Sequence, residues 1–380
     1  MQGAEEQYMR RAIALARRGS GHVNPNPLVG AVIVRDGEIL GEGWHEQYGG
    51  LHAERNAIAH AKEAGHDLGG STIYVTLEPC CHYGKTPPCT EAILEAGIAR
   101  VVVGSDDPNP LVSGKGFSML REHGVEVTTH FLKEECDAVN EVFFHYIQKK
   151  TPFVAMKYAM TMDGKIACYT GDSRWVTGEE ARAHVQTLRN HYRGIMAGIG
   201  TVLSDDPTLN CRMDGGRDPV RIICDSHLRI PMDSKLVRTA KEQPLLLACL
   251  PEADGAKKRM LEERGAQILE IPAADSQEEN GPAGVDLRVL MQRLGERKID
   301  GVLLEGGGNL NESALRAGIV SGVYCYLAPK IFGGADAKTP VEGLGVPLAA
   351  DAWQCRQTGI RKLGEDLLLT YQMQRQDEEK

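Results

Sequence analysis

One imidazole, two thiols and one carboxylate stand near each other along this chain: His52-Ala53-Glu54, then Pro79-Cys80, then Cys89. Neutral imidazole and thiolate both suit Zn2+, and three protein ligands leave a fourth position for water. Zinc lowers the pKa of bound water from about 15.7 to about 7, which yields hydroxide at neutral pH. Glu54 lies two residues from His52, so it can face the same cavity without ligating and move protons there. His52, Cys80 and Cys89 as metal ligands, with Glu54 as proton shuttle, make a site for hydrolytic displacement of an amine. A His-x-Glu alone specifies little; joined to Pro-Cys and a second Cys it specifies a chemistry.

The spacing departs from Pro-Cys-x-x-Cys, because eight residues, 81–88, separate Cys80 from Cys89. Cys80 with Cys81 or His82 is an alternative pair, although adjacent ligands are poorly placed for one tetrahedral ion. Pro87 and Pro88 would instead stiffen a loop that returns Cys89 to the metal. A helix is expected over His52–Ala64 and another over Thr90–Ala96, which puts Cys89 beside a helix N-terminus that favours thiolate.

These groups need a scaffold, and the hydrophobic pattern supplies one. Met9, Ala12, Ile13 and Ala16 recur at helical spacing, and Leu28–Val34 ends at Asp36-Gly37, a hairpin turn signal. Strands are expected at Ile39–Trp44, Thr72–Leu77, Arg100–Gly104 and Val125–Phe131, with helices at Phe117–Glu122 and Glu134–Gln148. This interleaving predicts a layered α/β domain with a mixed sheet over residues 1–148. Lys149-Lys150-Thr151-Pro152 reads as a boundary, and a second α/β alternation occupies 152–380.

In that second stretch, strands are expected at Phe153–Ala159, Gly194–Gly198, Pro219–Asp225, Pro244–Leu250, Ala266–Ile271, Gly301–Glu305 and Val323–Leu327. Helices are expected at Gly178–Tyr192, Ala256–Gly265, Leu287–Arg297 and Asn309–Ala317, the first opened by a Thr177/Glu180 capping box. Ala273–Gly284 reads as a polar surface loop. The run Val302–Glu305 followed by Gly306-Gly307-Gly308 is either a phosphate pocket at a helix N-terminus or tight strand–helix packing. It lacks the dinucleotide fingerprint.

A length of 380 residues favours two domains, and 42% hydrophobic with 25% charged residues is ordinary for a globular protein. A net charge of −9 argues against nucleic acid or anionic membrane as partner. No apolar run spans a membrane and no export signal is visible, so a cytoplasmic protein is expected. Ten cysteines, mostly single within apolar stretches, read as buried thiols of a reducing compartment.

The set Asn26-Pro27-Leu28-Val29-Gly30, His52-Ala53-Glu54, Glu78 through Cys89 with its Gly84-Lys85-Thr86-Pro87-Pro88 insertion, and Asp107-Pro108-Asn109-Pro110 resembles a known family. It is that of the bifunctional riboflavin-biosynthesis deaminase–reductases. Lys157 through Lys165, Gly171–Trp175, Gly200–Pro207, Asp225-Ser226 and Leu304–Gly307 resemble the reductase half of the same family, so the likeness covers nearly the whole chain. It implies a cytidine-deaminase-like α/β domain followed by a dihydrofolate-reductase-like α/β domain. It implies zinc and NADPH as cofactors, phosphorylated pyrimidine ribotides as substrates, and a homo-oligomer.

For the first domain the resemblance implies substrate contacts at Asn26, His45 and Lys85. Asn26 could instead only shape a turn, and Lys85 could be solvated. For the second it implies cofactor contacts at Ala159, Trp175, Thr201, Asp205, Ser226, Gly307, Gly308 and Asn309. It implies substrate contacts at Lys157, Ser173, Arg189, Leu209, Arg212 and Glu305. Arg189 and Arg212 would suit a phosphate clamp, or are surface charge; Trp175 could equally be core. A nucleoside or tRNA deaminase with an unrelated C-terminal nucleotide-binding module is the competing expectation.

Overall fold

The structure, a computed structural model, describes residues 2–83, 87–110, 112–274 and 284–374. The chain divides into two compact units, Met1–Lys150 and Thr151–Lys380.

The first unit runs α1 (Gln2–Arg18), β1 (Gly30–Arg35), β2 (Glu38–Trp44), α2 (Ala53–Glu63), β3 (Thr72–Leu77), α3 (Cys89–Glu95), β4 (Arg100–Ser105), α4 (Lys115–Glu122), β5 (Glu126–Thr128), α5 (Lys133–Asp137) and α6 (Glu141–Lys149). Its sheet has the order β2-β1-β3-β4-β5. β1 is antiparallel to β2 and β3, while β3, β4 and β5 are mutually parallel, so the sheet is mixed as expected. Apolar residues alternate onto two faces, and each face has its own core. Ile33, Ile73, Val75, Val101 and Val103 pack beneath α2, α3 and α4. Val32, Val34, Tyr74 and Val102 pack against Met9, Ala12, Ile13 and Ala16 of α1. Gly43 lets α2 lie flush on β2, because a Cβ there would overlap the Ala57 nitrogen and the Ala53 carbonyl. The start of α2, which carries the metal-site residues, is seated by that contact.

The second unit runs β6 (Phe153–Thr161), α7 (Glu179–His191), β7 (Gly194–Gly198), α8 (Ile199–Asp205), β8 (Val220–Cys224), α9 (Lys235–Arg238), β9 (Leu245–Cys249), α10 (Gly255–Glu263), β10 (Gln267–Glu270), α11 (Leu287–Glu296), β11 (Gly301–Leu304), α12 (Gly308–Arg316), β12 (Val320–Ala328), β13 (Cys355–Leu363) and β14 (Asp366–Met373). Its nine-stranded sheet has the order β10-β9-β8-β7-β11-β6-β12-β14-β13. Strands from β10 to β12 are parallel, and β14 and β13 close the sheet as an antiparallel hairpin. The parallel strands read as continuous apolar runs because helices cover both faces.

Three expectations are corrected. The helix expected over Glu134–Gln148 is two helices, α5 and α6, broken near Asn140. The strand expected over Val125–Phe131 keeps three residues, since His130 and Leu132 take positive φ and turn the chain away. The Thr177/Glu180 capping box does not form. Glu180 accepts instead from the Gly364 nitrogen at 2.9 Å, and the Gly178 nitrogen donates to Asp366 Oδ2 at 2.7 Å, so the hairpin turn outcompetes the local cap. The β13–β14 hairpin and the short helices α8 and α9 were not expected at all. Most of the expected Ala273–Gly284 loop lies outside the described residues. No described helix is long and apolar enough to cross a membrane.

Candidate active sites

His52 precedes α2, Cys80 follows β3, and Cys89 is the first residue of α3. The three converge. His52 Nδ1 is 3.5 Å from Cys80 Sγ and 3.4 Å from Cys89 Sγ, and all three ligand atoms lie within 4.8 Å of one another. Tetrahedral zinc with ordinary Zn–N and Zn–S bonds demands an N···S edge of about 3.6 Å, so the donor set and its spacing fit that ion. Neither Cys81 nor His82 belongs to the group, which closes the alternative ligand pairs. The Cys80 thiol is drawn down to about 4, first by its hydrogen bond with the Cys89 thiol and then, against burial, by the His52 ring. The Cys89 nitrogen also donates to Cys80 Sγ at 3.3 Å.

Arg55 explains how the proline-stiffened loop returns Cys89. Its Nε and Nη2 donate to the carbonyls of Pro87 and Pro88 at 3.1 and 2.8 Å. That guanidinium was overlooked in the sequence, although it adjoins Glu54. Its replacement by alanine should weaken zinc binding by about 10–100-fold, as losses in the outer shell of a metal site do. Competition against a chelating indicator measures this; unchanged affinity would refute the clamp. Cys89→Ser, which removes a ligand, should lose the metal altogether.

Glu54 is 3% exposed. Burial, then the nearby Cys80, pushes its carboxyl up to about 6. Asn26 and His45 line the same cavity of about 370 Å³, with His52, Cys80, Asp107 and Asn109. His45 Nδ1 donates to the Leu51 carbonyl at 3.0 Å, so Nε2 is the acceptor for Asn26 Nδ2 at 3.3 Å. Burial lowers the His45 pKa and keeps that ring neutral. The bond orients the Asn26 amide, leaving Oδ1 as its acceptor. Lys85 lies outside the described residues. Glu78, singled out only as part of a motif, accepts from the Gly114 and Gly116 nitrogens at 3.0 and 3.1 Å and so anchors the start of α4 beside this cavity.

In the second unit, the adjacent strands β8, β7 and β11 end along one edge of the sheet, past which β6 runs on. That edge carries Ser226, Thr201, Glu305 to Asn309, and Lys157 with Ala159. Glu305 is the hub. It accepts from Lys157 Nζ at 3.3 Å and from Arg189 Nε and Nη2 at 2.8 and 3.1 Å. Burial pushes its carboxyl up, but the charges of Lys157 and Arg189 outweigh burial and hold it at about 2.

The two expected clamp arginines are therefore not equivalent. Arg189, on α7, is largely buried, with 12% of its side chain exposed, and committed to Glu305 and to the Asn210 carbonyl. Arg212 is exposed. Trp175 is 60% exposed rather than core, with the Arg182 guanidinium 4.6 Å above its ring. The Leu209 side chain is 4% exposed within the core formed by Ile223, Leu228 and Val237, so its backbone is what can face a ligand. Ser173 is half-buried, and Asp205 and Asn309 are exposed.

The glycine run resolves residue by residue. Gly306 and Gly308 serve packing: a Cβ would press on Leu310 at one and overlap Glu342 at the other. Gly307 is open. A Cβ there would meet only Thr201 Oγ1, at 3.8 Å, so a ligand can approach its backbone at the start of α12. The open Gly307 backbone at the start of α12, with the adjacent Thr201, fits the phosphates of an anionic dinucleotide.

The RibD C-terminal domain model matches residues 152–369, and the cytidine and deoxycytidylate deaminase zinc-binding region matches 2–105. The chain is 54% identical to the riboflavin biosynthesis protein RibD of Actinobacillus pleuropneumoniae, over 96% of this chain and 94% of that one. It belongs to the RibD family. The whole fold agrees. A diaminohydroxyphosphoribosylaminopyrimidine deaminase/5-amino-6-(5-phosphoribosylamino)uracil reductase from Thermotoga maritima superposes with a TM-score of 0.82 at 37% identity, covering 98% of this chain and 99% of that one. Acinetobacter baumannii RibD gives a TM-score of 0.83 at 32% identity, covering 99% and 100%. Members of the RibD family pair a deaminase with a reductase, and both units of this chain carry the corresponding fold.

Proposed function

We propose that the first unit deaminates 2,5-diamino-6-ribosylamino-4(3H)-pyrimidinone 5′-phosphate. The second then reduces 5-amino-6-(5-phosphoribosylamino)uracil to its ribityl product with NADPH. The observation that carries the reading is the buried Glu54 carboxylate beside the His52–Cys80–Cys89 triad, in a cavity that also presents an oriented amide. When bound, zinc supplies Lewis acidity that lowers the pKa of water to about 7. Glu54 takes a proton from the attacking water and passes it to the amine, which leaves as ammonia. Asn26, fixed by His45, reads the pyrimidine edge, and Lys85 offers charge to the phosphate.

In the second unit, NADPH supplies hydride. Gly307, Thr201 and the start of α12 bind its phosphates, with Ala159, Asp205, Ser226 and Asn309 along the same edge. Lys157 and Glu305 position the ribosyl group just past the end of β11, where β6 runs on beside it. Arg189 holds Glu305, and Arg212 meets the substrate phosphate from the surface. Arg212→Ala is therefore expected to raise KM for the phosphorylated reductase substrate about tenfold while leaving that for NADPH within about twofold. Equal weakening of both would contradict the assignment. Soluble substrates and a reduced nicotinamide support a cytoplasmic enzyme that needs no membrane or nucleic acid; a homo-oligomer is the proposed assembly.

The deciding experiment incubates the zinc-loaded protein with the diaminopyrimidine ribotide and NADPH and weighs the products. One exocyclic nitrogen should be exchanged for oxygen, and two hydrogens should then be added as reduced nicotinamide disappears. Deamination of free cytidine or tRNA instead, with no NADPH oxidation, would overturn the proposal.

A further inference from the structure

Helix α6 forms one wall of the deaminase cavity. Its Phe143, Tyr146 and Ile147 line the same space as Asn26, His45 and Glu54. The match to the deaminase zinc-binding region stops at residue 105, so this wall comes from chain beyond the matched core.

One side chain ties α6 to the opposite end of the unit's sequence. Asn140, 2% exposed, donates Nδ2 to the Leu28 carbonyl at 2.9 Å and accepts from the Leu28 nitrogen at 2.8 Å. An asparagine at a helix N-cap ordinarily turns its side chain onto the helix's own first N–H groups. Asn140 occupies the N-cap of α6 and makes no such bond. Its amide is committed instead to a residue 112 positions away, which directly follows Asn26-Pro27. At the other end of this turn, the Asn26 nitrogen donates to the Val23 carbonyl at 2.9 Å.

We infer that Asn140 is a positioning residue for the deaminase substrate, locking the Asn26 turn to α6 and so setting the gap between the pyrimidine-reading amide and the aromatic wall. The inference rests on the substrate proposed above. A planar amino-substituted pyrimidine is the ligand class this pairing takes, its face along Tyr146 and Phe143 and its edge on Asn26. Loosening that spacing weakens binding. It leaves bond-making intact, because Glu54 and the metal ligands sit on or just before α2, on α3 and in the loop after β3.

The test is steady-state deamination by the full-length, zinc-loaded chain. Asn140→Ala should raise KM for the diaminopyrimidine ribotide about tenfold and keep kcat within about twofold. Zinc content and the NADPH-dependent reduction by the same molecules should not change. Asn140→Asp keeps the acceptor for Leu28 N–H, loses the donor, and should fall between parent and alanine variant. Asn26→Ala combined with Asn140→Ala should raise KM no further than Asn26→Ala alone, since the two act through one contact. Unchanged KM, additive effects, or a fall in kcat that tracks lost zinc would each overturn the inference. Should Asn140→Ala not fold, Asn140→Asp and its double variant with Asn26→Ala carry the same criteria. Failure of the parent to deaminate the ribotide would instead refute the proposed function.

Discussion

Glu54→Gln is expected to keep zinc and lose deamination by about 10²–10⁴-fold, the range over which a positioned general acid–base group acts. The amide is nearly isosteric with the carboxylate, so the buried site keeps its packing, and the three ligand atoms are untouched. It cannot accept the proton that must leave the attacking water. In the proposed mechanism Glu54 works as the carboxylate, and burial holds its carboxyl up to about 6. The parent rate should therefore fall as pH drops through that region; a cation bound alongside favours the carboxylate and moves the limb lower. Metal content and kcat measured on the same preparation check the claim, with NADPH-dependent reduction as internal control. A variant that deaminates at near the parent rate would remove Glu54 from the mechanism.

The largest expected effect on stability is at Glu305. Glu305→Gln leaves Lys157 and Arg189, 16% and 12% exposed, as two largely buried cations without their shared anion, which should destabilise the second unit by about 3 kcal/mol at neutral pH. The folded carboxyl sits at about 2, below the ordinary glutamate value of about 4.3. A depressed pKa contributes stability that is complete above the unfolded value and is lost as pH falls from about 4.3 through about 2. The gap between parent and variant should narrow across that acid window. Denaturant unfolding at neutral and acid pH measures it. Equal stability at neutral pH, or a gap that widens in acid, would show that the pair is not the anchor its geometry describes.

The convergence of His52, Cys80 and Cys89 was legible in the sequence, and the reason is chemical. Imidazole, thiol and carboxylate are uncommon in combination, and their order along the chain survives folding. The secondary elements that hold them were legible too: Thr72–Leu77 and Gly194–Gly198 fall where their apolar runs and flanking residues put them. The reductase edge was harder. Gly306, Gly307 and Gly308 look alike in the sequence, yet only Gly307 keeps its backbone open. Arg189 and Arg212 look alike too, and only burial beside Glu305 separates them. The β13–β14 hairpin escaped notice because most β13 side chains face solvent and carry no apolar alternation.

Residue types and their spacing thus determined by themselves which three side chains could share a metal ion and which carboxylate stands beside them. The folded chain alone decided the partners. Asn140 with Leu28 spans 112 residues, and Arg189 with Glu305 spans 116. Neither pairing leaves a local pattern, because a side chain that could cap its own helix or rest in solvent is redirected only when packing brings a distant, otherwise unsatisfied group within reach.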